Sequence, residues 1–190
     1  MAKLTEVRWH GRGGQGAKTA SYILAIAAAE QGSNVQAFPE YGAERRGAPM
    51  KSYVRISDGP IRLRCSVLHP QIVVVLDPTL VISENVTDGL EDGALVIINT
   101  SEPPETVRPK LQNQNVTLCT VDATQISMDT VGRNIPNTPM LGALAKVSDV
   151  VSVEGAKQAV VKQLGGKLAE SVLQGNYAAI DRAYEEVQVG

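Results

Sequence analysis

Apolar positions alternate or run together in some stretches of this chain and recur at helical spacing in others. Leu4 to His10, with Val7 and Trp9, favours extended chain and predicts a strand. Ala17 to Gln31 is apolar nearly all round and predicts a helix closed by Gly32. A helix without a polar face is buried on every side, so a second surface, such as a partner chain, is expected over it. Asn34 to Phe38 reads as the next strand, making a strand–loop–helix–strand βαβ unit. Lys51 to Ile56 and Ile61 to Cys65 flank Ser57-Asp58-Gly59-Pro60, a turn signal that predicts an antiparallel hairpin. Ile72 to Leu76, Ala94 to Asn99 and Val116 to Val121 are continuous apolar runs, as in strands buried on both faces.

Between and after these strands the spacing turns helical. Asp77-Pro78 predicts a helix opening there and reaching about Val86. Ser127 to Val131 suits a short helical turn, and Thr138 to Val147 a helix behind the Pro136 and Pro139 breaks. Val153 to Leu164 is amphipathic. Leu168 to Val187 continues the pattern, with a break or kink expected near Gly175. Residues 1–190 therefore read as one α/β domain with a mainly parallel sheet, an inserted antiparallel hairpin and C-terminal helices.

Composition narrows the chemistry. With aromatics at 4%, the core must come from Val, Ile, Leu and Ala. A net charge of −2 provides no basic field for nucleic acid or an anionic membrane. No apolar run reaches bilayer length and no signal-like segment leads the chain, so a cytoplasmic location is expected. Cys65 and Cys119 are the only cysteines, too few for a four-cysteine cluster or zinc site; both are expected to be buried, reduced thiols. His10 and His69 lack metal-ligand spacing, although Cys65 could meet His10 in space.

Three stretches carry candidate chemistry. Gly11-Arg12-Gly13-Gly14-Gln15-Gly16 satisfies G-x-G-x-x-G between a strand and a helix, where backbone amides and the helix dipole suit a phosphate. Glu40, at the end of the second strand, could meet a ribose hydroxyl, so dinucleotide binding is open; Arg12 and Gln15 are bulkier than that fingerprint favours. A P-loop is rejected, because Ala17 puts one residue too many between Gly16 and Lys18. In Tyr41-Gly42-Ala43-Glu44-Arg45-Arg46-Gly47-Ala48-Pro49, paired arginines either clamp phosphate or carboxylate groups or form a solvated surface loop. Asn134 to Gly142 reads as a proline-stiffened turn capping a helix, with Asn134 or Asn137 able to face a ligand.

Taken together and in this order, GRGGQGAKTA, FPEYGAERRGAPM and NTPMLGAL resemble the gamma subunit of 2-oxoacid:ferredoxin oxidoreductases, nearest to the pyruvate synthase type. The tail VEGAKQAV…YAAIDRAYEEV extends the resemblance over nearly the whole chain. It implies a Rossmann-like domain, inert alone, working with alpha, beta and delta-type subunits and, through the complex, with ferredoxin. Thiamine diphosphate, magnesium and iron–sulfur clusters would lie on the other subunits, and this chain would bind no cofactor tightly. The sequence agrees: it has no Cys-x-x-Cys and no Gly-Asp-Gly with a downstream Asn-Asn pair. The resemblance implies a role in assembly and in one wall of the coenzyme A approach, from Gly11, Gly13, Gly14, Gln15, Gly16, Arg45, Arg46 and Asn137. The indolepyruvate oxidoreductase beta subunit shares a similar glycine loop but lacks the double arginine. Met50 departs from the family pattern, where a small β-branched residue is expected.

Overall fold

The computed structural model describes residues 3–41 and 47–190. Its centre is a sheet of β1 (Leu4–Arg12), β2 (Asn34–Tyr41), β3 (Pro49–Ser57), β4 (Ile72–Val75), β5 (Leu95–Asn99), β6 (Thr117–Val121) and β7 (Gln188–Val189), in the order β2-β3-β1-β4-β5-β6-β7. β1, β4, β5 and β6 pair in parallel, and their short Val- and Ile-rich runs are covered on both faces. β3 is antiparallel to both β1 and β2, so it splits the expected βαβ unit.

That insertion corrects the predicted hairpin. Residues 61–65 form no strand, and Arg62, Leu63, Arg64 and Cys65 are exposed. β3 already has a hydrogen-bonded neighbour on each side, so the segment after it has no ladder to join. The segment instead crosses the sheet, held by Arg55 Nη2, which donates to the carbonyls of Cys65 and Ser66 at 2.8 and 3.4 Å. Cys65 is thus exposed, contrary to expectation, while Cys119 is buried. Nor does Cys65 meet His10: it lies against Arg55, in the row of Glu6, four positions along β1 and roughly 13 Å from His10.

One face of the sheet carries α1 (Ala17–Glu30), α4 (Ala123–Val131), α5 (Asn137–Val147), α6 (Val153–Leu164) and α7 (Glu170–Glu186). The apolar α1 is covered by this chain itself: it packs on β1, β2 and β3 below and on α5 and α6 above. No partner is needed to bury Ile23, Leu24 or Ala27. α7 runs unbroken through Gly175. A Cβ there would come within 2.3 Å of the Thr130 carbonyl oxygen on α4, so the glycine allows close helix approach and does not mark a kink.

The opposite face is divided. Over β4, β5 and β6, the short helices α2 (Leu80–Ser83) and α3 (Pro104–Val107) close a second apolar core with Val73, Val75, Val96 and Ile98. The predicted helix from Asp77 to Val86 shrinks to α2, because Glu84 is extended and Asn85 bends the chain back by accepting from Thr87. Over β1 and β3 the buried layer is polar: Arg8, His10, Tyr53 and Arg55.

Candidate functional site

At the C-terminal ends of β1 and β4, the glycine loop enters α1. The first strand stops where Gly11 packs: an added Cβ would lie 3.2 Å from both Ala17 Cβ and Leu76 Cδ1, so this glycine serves packing. Gly16 caps α1 at φ +87° with no side-chain cap, and a Cβ there would meet Asn137 Nδ2 at 2.7 Å. The structure thereby joins two predicted stretches separated by more than a hundred residues. Asn137 is 4% exposed, opens α5, and accepts from its neighbour Thr138 N through Oδ1.

Two of the loop amides offered to a phosphate are already used. Gly13 N donates to Ala48 O and Gln15 N to Arg12 O, both at 3.1 Å. Gly14 differs: it is exposed at φ +103°, with nothing within 4 Å of the place a Cβ would occupy. Below it, the side chain of Gln15 turns inward. Its Oε1 accepts from Arg12 N, and its Nε2 donates to Asp77 Oδ2, both at 2.7 Å.

Asp77 is the residue that sequence reasoning missed. Its carboxylate also takes Arg12 Nε at 3.2 Å, Thr79 N at 3.0 Å and Thr79 Oγ1 at 2.5 Å. Arg12 in turn donates to Thr79 Oγ1 at 2.9 Å and to Gly47 O at 3.2 Å. Burial alone would raise the Asp77 carboxyl. The hydrogen bonds from Thr79 and Gln15 and the charge of Arg12 outweigh it, holding the group below its ordinary value. A signal existed in the Asp-Pro that follows a doubly buried strand, but that pair also fits a helix start.

This geometry removes the dinucleotide reading. The fingerprint needs its acid on the strand beside the first one. Glu40 lies on β2, with β3 intervening, and its carboxylate already accepts from Tyr53 Oη. Together with burial, that bond raises the tyrosine. Arg45 and Arg46 lie outside the described residues. Among those described, no cluster of three or more His, Cys, Asp or Glu could hold a metal ion, and no helix is long and apolar enough to cross a membrane.

The fold thus combines a parallel sheet covered on both faces, an inserted antiparallel strand and a glycine loop tied to Asp77 just beyond β4. The family model described as pyruvate ferredoxin/flavodoxin oxidoreductase matches residues 6–186, and the chain belongs to that family. It is similar to pyruvate synthase subunit PorC of Thermotoga maritima, at 48% identity over 98% of this chain and 96% of that one. The common gamma subunit of the pyruvate and ketoisovalerate oxidoreductases of Pyrococcus furiosus is 45% identical over 98% of both chains. The crystal structure of the Thermotoga maritima pyruvate oxidoreductase subunit superposes with a TM-score of 0.87 at 44% identity, covering 99% of each chain. Within the family this chain is of the gamma-subunit type, a component of an oxidoreductase assembly.

Proposed function

We propose that the chain serves as the non-autonomous gamma subunit of a pyruvate-using 2-oxoacid:ferredoxin oxidoreductase, and that the rim carrying its glycine loop forms one wall of the path taken by coenzyme A. Thiamine diphosphate, magnesium and iron–sulfur clusters on alpha, beta and delta-type subunits supply decarboxylation and electron transfer to ferredoxin. Among the described residues no group of three or more His, Cys, Asp or Glu could hold a metal ion, and the two cysteines differ in burial. Alone it turns nothing over. Substrate choice belongs to the partners, a division supported by relatives whose names assign one gamma subunit to both pyruvate and ketoisovalerate oxidoreductases.

The observation that carries the coenzyme A role is the contrast within the loop. Gly13 and Gln15 are fixed by Ala48 and Asp77 and Gly16 lies against Asn137, while Gly14 is exposed with open space around it, ahead of a 14-residue helix. A rigid, side-chain-free surface of this kind can guide a long ligand without adding bulk, and holding a thiol near its acyl donor removes orientational entropy from the transfer. Arg12 is committed to Asp77, so neutralising the phosphates falls to Arg45 and Arg46. The location of such an assembly is cytoplasmic.

Anaerobic purification of the tagged chain from its host tests the subunit reading. Brown partners that reduce a viologen dye with pyruvate and coenzyme A are expected; a colourless, partner-free protein overturns it. In that complex, Arg45→Ala and Arg46→Ala should raise KM for coenzyme A by about tenfold each, the worth of one charge-assisted contact, with kcat retained. Weakened assembly with an unchanged KM would instead make the rim a subunit contact without ligand.

A further inference from the structure

A cavity of about 220 Å³ opens beside, and apart from, the glycine loop, where the polar layer over β1 and β3 reaches the sheet rim. Its floor is one row across three strands, Glu40 on β2, Lys51 on β3 and His10 on β1, held in register by the sheet. Met50 and Leu80 supply apolar walls, and Glu84 lines it from beyond α2. His10 is 1% exposed, yet its Nε2 is buried without a hydrogen-bond partner. Leaving such an atom unmade costs about 1–3 kcal/mol in a folded protein and calls for an explanation.

The charges around the row are unequal in availability. Among the described residues, Lys51 has no ion pair or hydrogen-bond acceptor, whereas the Glu40 carboxylate accepts from Tyr53 Oη. Burial first, then the positive charges of Arg8 and Lys51, push the His10 imidazole down to about 3, so it is neutral and carries one ring N–H.

We infer that this cavity takes a single carboxylate, ion-paired to Lys51 and hydrogen-bonded by the His10 ring N–H, with its apolar stem against Met50 and Leu80. One available cation flanked by two glutamates suits one negative charge, not the nearly two carried by a phosphate monoester. The described residues around the cavity provide no cation cage of three ligands. Two sources present this chemistry: a free small monocarboxylate, or an Asp or Glu side chain of a neighbouring subunit. The second rests on the subunit reading above; the first does not.

The full chain, with ¹⁵N-labelled histidine, gives a direct readout, because it contains only His10 and His69. His69→Gln assigns the remaining imidazole signal. Sodium acetate is titrated against sodium chloride at matched ionic strength, and then the partner subunits are added. A free carboxylate predicts a saturable acetate shift at His10, weakened at least about tenfold in Lys51→Met and restored in Lys51→Arg. A subunit carboxylate predicts no acetate shift, a His10 shift on assembly, and about tenfold weaker assembly in Lys51→Met, again restored by arginine. An unmoved His10 signal in both titrations, or equal shifts in Lys51→Met and the parent, overturns the inference. An unchanged His69 signal and melting temperature confirm that the variants fold. KM for coenzyme A should not move in Lys51→Met, which separates this site from the glycine-loop rim. If no partner is captured, the subunit reading fails by itself and the acetate arm alone decides.

Discussion

The carboxylate of Asp77 gathers contacts from β1, the glycine loop and the turn into α2, and each depends on the negative form. Asp77→Ala leaves Gln15 Nε2 and Arg12 Nε without their acceptor, and should cost about 1–3 kcal/mol in urea unfolding. His10 acts at a different pH. Its folded pKa of about 3 lies below the unfolded value near 6.5, so below that value the unfolded chain binds more protons. The stabilisation is complete above about pH 6.5 and is lost as the pH falls toward 3, with a limiting slope of about 1.4 kcal/mol per pH unit. Thermal melts between pH 7 and 5 should therefore show a shallower decline for His10→Gln than for the parent. A parallel decline would mean that the imidazole protonates without unfolding.

Helix packing turns on two notches. The Gly142 site on α5 would put a Cβ 2.1 Å from the Ile180 carbonyl oxygen, and the Gly175 site on α7 would put one 2.3 Å from that of Thr130. Replacing a helical glycine with alanine ordinarily gains about 1 kcal/mol of helix propensity. Here backbone would have to move apart, and overpacking costs about 1–3 kcal/mol. Gly142→Ala and Gly175→Ala should both come out net destabilised in chemical denaturation; a gain in either would show that the contact relaxes freely. The sequence could show that residues 168–187 were helical, because Leu173, Ile180 and Tyr184 recur at the right spacing. It could not show what Gly175 touches, since a glycine that breaks a helix and one that admits a neighbour look alike in one dimension. The strand expected at 61–65 does not form for a similar reason: its pattern is adequate, but both sides of β3 are taken.

Across the molecule, the doubly buried strands, the glycine loop and the late helices were legible, because burial on two faces and helical spacing leave marks in the residue order. The site was legible only in pieces. Gly16 and Asn137 stood out separately, but their contact depends on how α5 returns to the N-terminus of α1. The Asp77-Pro78 signal was ambiguous, since it fits a helix start as well, and Lys51 was only the first residue of an expected strand. α1 looked as if it required a partner, whereas α5 and α6 of the same chain cover it. Family membership implies other subunits; the fold supplies a core that this chain closes by itself.

Strand order also has a consequence in time. β1 leaves the ribosome before every other strand, yet its neighbours are β3 and β4, and β2, the strand made next, does not touch it. Its main-chain groups cannot join a ladder until residues 49–57 and then 72–75 have emerged. At synthesis rates of about 5–20 residues per second, that is a wait of roughly 2–14 s. Until then Val7 and Trp9, wholly enclosed in the finished fold, lack their neighbours in the sheet. The first strand made is thus the one that waits longest for a ladder partner.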